Sequence, residues 1–120
     1  MKICLPATAP RLDAPLDERL GRAAWFVLVD SESGDLLAQA PNEQNRQAAS
    51  GAGVQAAQTI ADLGAEAVVC AHCGPKAFRV LQAAGVAVFT GAAGTVAEAV
   101  AAFREGRLQK ATAADVEGHW

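Results

Sequence analysis

The chain has 120 residues, the size of one domain, and 10 Lys+Arg against 13 Asp+Glu leave a formal charge of −3, which argues against gripping nucleic acid through counterion release. A composition of 52% hydrophobic and 19% charged residues excludes global disorder. No apolar run reaches the about 18 residues of a membrane-spanning helix, and roughly half of the apolar content is alanine, so elements can pack closely around a small core.

Residues 2–6 read as a short first strand ended by Pro6. Residues 7–22 form a long connection rich in Pro, Gly and charge, and uncovered connections of this length are usually functional or mobile. Residues 24–30, Ala-Trp-Phe-Val-Leu-Val-Asp, are nearly all apolar and β-prone, which predicts a buried strand. Ser31 to Gly34 is a turn, and residues 35–40 return as a hairpin partner. A polar loop over 41–47 precedes a helix from Ser50 to Leu63, with Ser50 as N-cap and Gly64 as the stop. Residues 65–70 are a strand. Gly74-Pro75 opens a helix with the apolar stripe Phe78, Leu81, Ala84, closed by Gly85. Val86 to Phe89 is a further strand. Thr95 and Glu98 form a capping box for a last helix carrying Val96, Val100 and Phe103 on one face. Residues 1–108 read as a single α/β domain and 109–120 as a loose tail.

The order β-β-β-α-β-α-β-α predicts a mixed five-stranded sheet with helices on both faces. Strands 1, 3, 4 and 5 then point the same way. Their following loops, 7–22, 41–49, 71–74 and 90–94, emerge on one edge, where ligands of open α/β sheets bind. Three helices start there, near Gly51, Pro75 and Thr95. Each helix start attracts anions through its unpaired N–H groups and the dipole. The edge is therefore expected to hold something compact and anionic.

Within these loops Cys70-Ala71-His72-Cys73 is the main chemical motif. Three cysteines, an odd count without an export signal, make a disulfide framework improbable, and residues 1–6 are too short for a signal peptide, so a cytoplasmic protein is expected. One C-x-x-C cannot close a four-ligand zinc site. The motif reads as ligands or support for a metal cluster, as plain structural cysteines, or as a thiol redox pair. Cys4 reads as a small core residue and His119 as part of the tail. Arg19 and Arg22 lie on the same edge as either solvated or anion-binding side chains. Gly51 and Gly53 serve either close backbone approach to an anion or close packing. Gly91 to Thr95 resembles a phosphate-type loop but lacks the Lys-Ser/Thr ending. No catalytic triad, metalloprotease motif or paired carboxylates stand out, so no enzymatic mechanism follows.

Several stretches together are similar to the dinitrogenase iron–molybdenum cofactor-binding family. They are Leu12 to Leu16, Leu20-Gly21-Arg22-Ala23, Gly51 to Ala57, Gly74-Pro75-Lys76-Ala77-Phe78, Ala84-Gly85-Val86 and Gly91 to Val96 with Glu98-Ala99. The resemblance covers about residues 1–108. It implies a ribonuclease H-like three-layer fold and binding, storage or transport of an anionic metal–sulfur cluster or its precursor, with no enzymatic turnover. Many members read His-Phe-Gly-Arg where this chain has Arg19-Leu20-Gly21-Arg22, which favours electrostatic capture over ligation at that loop. The short length and the Cys-His-Cys loop look closest to the orange-protein branch of sulfate reducers, whose members imply a molybdenum–copper sulfide cluster. The expected cradle is Arg19, Arg22, Asn45, Gly51, Gly53, Gly74, Gly91 and Gly94, with Cys70, His72 and Cys73 as metal ligands or a soft wall. The expected partners are proteins that give or receive the cluster, with no nucleic acid and no membrane, and the chain is expected to be a monomer or weak dimer. The alternatives are a thiol oxidoreductase using Cys70 and Cys73 and a metal-free interaction or regulatory module.

Overall fold

The computed structural model describes residues 1–42 and 52–112. The elements in chain order are β1 (Lys2–Ala7), β2 (Trp25–Asp30), β3 (Leu36–Pro41), α1 (Ala52–Asp62), β4 (Ala67–Val69), α2 (Pro75–Ala83), β5 (Ala87–Thr90), α3 (Val96–Arg104) and β6 (Gln109–Lys110). They form one mixed sheet in the order β3-β2-β1-β4-β5-β6. β1 pairs antiparallel with β2 and parallel with β4, β4 pairs parallel with β5, and β2 pairs antiparallel with β3.

The sheet has six strands, not the five expected. The sixth, Gln109–Lys110, pairs antiparallel with β5 and begins the segment read as a loose tail. Two polar, exposed residues carry no hydrophobic alternation, so periodicity could not mark them as a strand. The Ala111 N–H extends the pairing by donating to the Val88 carbonyl at 2.8 Å. His119 and the proposed Ser50 cap lie outside the described residues.

Alternation along the strands divides the core in two. Cys4, Phe26, Leu28, Val68 and Val88 face one side, where they pack with Ala56, Ala57 and Ile60 of α1 and Ala77, Phe78 and Leu81 of α2. Ile3, Leu5, Val27, Val29 and Val69 face the other, against Val96, Ala99 and Val100 of α3. Helices therefore cover both faces, as the element order predicts. The many alanines are used here: Ala56, Ala57, Ala77 and Ala99 let helices approach the sheet at small side-chain cost. Cys4 is fully buried beside Leu28 and Val68, the core position expected for it, and burial pushes its thiol far above the usual range.

The hairpin turn is built by Asp30. Its carboxylate accepts the N–H groups of Glu32 and Ser33, and Gly34 takes a left-handed conformation with φ +79°. The connection after β1 is not the uncovered loop its length suggests. Leu16 bridges to Ala7 and Pro15 to Thr95, so residues 8–16 run as a strap across the start of α3.

Candidate functional site

The carboxyl ends of β1, β3, β4 and β5 lie on one edge of the sheet. β1 and β4 are neighbours, but the chain leaves β1 towards β2 and leaves β4 towards β5. This reversal of direction opens the crevice where open α/β sheets bind ligands. The loop before β2 and the loop after β4 flank it.

The first of these loops is held by buried anchors. Leu20 is 1% exposed, and Leu20 and Ala23 share a core cluster with Cys70, Cys73, Ala77 and Phe78. Burying a leucine side chain contributes about 1.5–3 kcal/mol, enough to fix a short loop. The Arg22 N–H donates to the Arg19 carbonyl at 3.2 Å, and the Asp17 carboxylate accepts the Arg19 N–H at 3.2 Å. Arg19 is exposed and Arg22 half-buried on this turn. A residue that sequence reading missed completes the anchorage. Asn42 is 2% exposed, and its side-chain amide donates to the carbonyls of Gly21 at 3.3 Å and Ala23 at 2.9 Å, while its own N–H donates to Ala24. The available signal was a lone polar residue directly behind the Pro41 end of a strand, a place where a side chain can pair loop carbonyls.

The second loop leads into α2. Gly74 is the N-cap and Pro75 the first helical residue, so no side chain caps this helix and its first N–H groups come from Lys76 and Ala77. The start of α1 lies against it: a Cβ built on Gly53 would be 3.5 Å from Ala77 Cβ and 3.7 Å from Ala77 N. Two helix N-termini thus meet, on the sheet edge that also carries the Arg19–Arg22 turn. Neither helix has an acidic residue in its first turn. Gly53 and Gly74 belong to this corner; Asn45 and Gly51 lie outside the described residues.

The start of α3 differs, and this corrects the expectation of three anion-attracting helix starts. The Val96 N–H donates to the Ala14 carbonyl at 2.9 Å and the Ala97 N–H to the Leu12 carbonyl at 2.8 Å. Thr95 Oγ1 accepts the Glu98 N–H, and the Glu98 carboxylate accepts the Thr95 N–H, as the capping box predicts. The strap and the helix's own acid therefore take up the donors an anion would need. Gly91 and Gly94 serve this closed end. The N–H groups of Gly91 and Ala92 donate to the carbonyls of Ala71 and Cys70, and Gly94 accepts from Leu16. These bonds tie the β5 loop to the Cys70–Cys73 loop. A cavity of about 300 Å³ between the Gly91–Ala93 turn, Glu98 and Arg107 lies on this α3 side, away from the corner of α1 and α2.

Cys70 and Cys73 are buried thiols outside any disulfide. Cys70 Sγ lies 3.7 Å from the Phe89 carbonyl and Cys73 Sγ 3.6 Å from the Gly74 carbonyl, while His72 is half-buried between them. Among the described residues no three His, Cys, Asp or Glu side chains are gathered to hold a metal ion. Cys70, His72 and Cys73 thus do not form a three-ligand site on their own. Among the described residues no helix is long and apolar enough to cross a membrane.

A six-stranded mixed sheet with helices on both faces and two helix starts at its switch point defines the class as a small α/β domain. Comparison with known proteins narrows this. Residues 1–106 match the family model described as dinitrogenase iron-molybdenum cofactor, and the chain belongs to that family. It is similar to the apo form of the orange protein from Desulfovibrio gigas, at 38% identity and TM-score 0.89 over 96% of both chains. It is also similar to a Thermotoga protein solved by NMR, at 34% identity and TM-score 0.76 over 91% of both chains. A Methanocaldococcus jannaschii protein is 32% identical over 111 residues, covering 92% of this chain and 91% of its own length.

Proposed function

We propose that this protein binds and carries an anionic metal–sulfur cluster at the corner where α1 and α2 begin, without chemically transforming it. The observation that carries this reading is the meeting of two helix N-termini, at Gly53 and Ala77, with no acid in either first turn, on the sheet edge that also carries the Arg19–Arg22 turn. Amide dipoles and guanidinium charge favour a compact anion and need no reorganisation to receive it. Family membership and the likeness to an orange protein support a molybdenum-containing cargo, of the molybdenum–copper sulfide or iron–molybdenum type.

In this reading Arg19 and Arg22 supply charge, and Gly53 and Gly74 allow the backbone close to the cargo. Asn45 and Gly51, expected from the sequence on the same rim, lie outside the described residues; Gly91 and Gly94 hold the neighbouring β5 loop, and Cys70, His72 and Cys73 form a soft wall beneath. The ribonuclease H-like class, an intracellular location and exchange of cargo with donor or acceptor proteins are parts of the same proposal. The oxidoreductase alternative is less favoured, because thiol exchange needs an accessible sulfur and both thiols are at most 1% exposed. The test is reconstitution with tetrathiomolybdate and copper. A visible charge-transfer band with stoichiometric bound metal is expected, and a colourless, metal-free protein overturns the reading.

A further inference from the structure

Helix α2 carries two charges, Lys76 and Arg79, both cationic and both exposed, with no acid between Pro75 and Ala83. Their placement runs against the helix dipole, which disfavours a cation in the first turn and favours one in the last, where α2 has none. Neither forms an ion pair among the described residues, and Arg79 Nε reaches only the Pro75 carbonyl of its own helix, at 3.5 Å. Arg11 and Arg107, by contrast, hold Asp13 at 3.0 Å and Glu105 at 2.7 Å. The neighbouring α1 has no charged residue before Asp62 at its far end. That far end of the molecule carries Asp30, Glu32 and Asp35 at the β2–β3 turn, Asp62, and Glu66 ahead of β4, with Lys2 opposite Asp30. Lys76 and Arg79 are thus cations without an ion pair among the described residues, on the flank that adjoins the corner.

We propose that this flank of α2 docks a carboxylate-rich surface of the protein that receives the cluster, and that docking loosens the cluster at the corner. The proposal rests on the cluster-binding reading above. Lys76 follows Gly74 by two residues, so it belongs both to the lip of the corner and to the start of the flank. Carboxylates placed on Lys76 and Arg79 neutralise the field that favours the inorganic anion and add repulsion beside it. By linkage, cargo and acidic partner weaken each other's binding by the same factor. A carrier with this coupling holds its cargo when alone and yields it on contact.

A synthetic Asp/Glu-rich octapeptide serves as the acidic surface, with its Lys-rich counterpart as control. Titrated into the metal-free protein at low salt, the acidic peptide is expected to shift the amide resonances of residues 75–83. The shifts should vanish in Arg79→Glu and in the Lys76→Glu/Arg79→Glu double variant, both of which change only exposed side chains. Added to reconstituted protein, the peptide should raise the rate of cluster release several-fold, and less in Arg79→Glu. Absent shifts, equal shifts from sodium sulfate at matched ionic strength, or release unchanged by the peptide overturn the proposal. The two failures are separable: a protein that never takes up cluster fails the earlier reading by its colour alone, while the peptide titration reads docking without any cargo.

Discussion

Gly53 and Ala77 bring the first turns of α1 and α2 to van der Waals distance, with 3.5 Å between Ala77 Cβ and the position a Gly53 Cβ would take. A methyl group fits that space. Gly53→Ala should therefore fold, with unfolding free energy raised by up to about 1 kcal/mol through helix propensity. Gly53→Phe should push the helices apart and cost about 1–3 kcal/mol. Cluster retention should fall in both variants, since the added carbon lies 3.7 Å from Ala77 N. Denaturant melts and metal analysis read the two effects separately.

The other helix start predicts the opposite pattern. Gly94 has φ +84°, and a Cβ there would lie 2.6 Å from Glu98 Oε1. Gly94→Ala should cost about 1–2 kcal/mol for the left-handed backbone alone and displace the capping carboxylate as well. Thr95→Ala should cost about 1 kcal/mol by removing the cap. Cluster retention should survive Thr95→Ala, because the Leu12 and Ala14 carbonyls still occupy the α3 amides. Calorimetry with a metal assay on the same samples checks this.

Acid should destabilise the fold through two carboxylates. The amides of Glu32 and Ser33 hold the Asp30 carboxyl below its usual range, and the amide and hydroxyl of Thr95 do the same for Glu98. Each group binds protons more weakly folded than unfolded. Its stabilisation is complete above the unfolded pKa, about 3.9 for Asp and 4.3 for Glu, and is lost as pH falls through the lower folded value. The melting temperature should be insensitive to these groups near neutrality and drop below about pH 4. Glu98→Gln should flatten that acid limb.

Arg22→Ala should lower cluster retention, and rising salt should weaken binding in the native protein if the cargo is exposed to solvent. Cys4→Ala should leave retention unchanged while costing roughly 1 kcal/mol of core packing. Thiol-reactive probes at neutral pH should spare Cys4 until the chain unfolds, because burial holds its thiol protonated.

Much of the fold was legible because the relevant signals are local. Phe26 to Val29 announce a buried strand, Pro75 and Gly85 bracket a helix, and Thr95 with Glu98 names its own cap, and all three recur in the structure. The site was legible only as an edge. That α2 has no side-chain cap while the start of α3 is occupied depends on Leu12 and Ala14, whose backbone carbonyls carry no trace in residue identity. The same holds for Asn42, whose partners are carbonyls of a loop far away in sequence, and for Gln109–Lys110, where pairing rather than pattern makes the strand. Tertiary hydrogen bonds of this kind are invisible to periodicity.

The strap over α3 also bears on how the molecule assembles. Leu12 and Ala14 satisfy donors of Ala97 and Val96, roughly 80 positions downstream. Contacts of such long sequence separation form late, because the intervening chain must first be closed into a loop. During synthesis the segment 8–16 therefore waits for its counterpart until residue 97 has left the ribosome. A nascent chain stopped short of residue 97 should leave the segment 8–16 open to proteolysis.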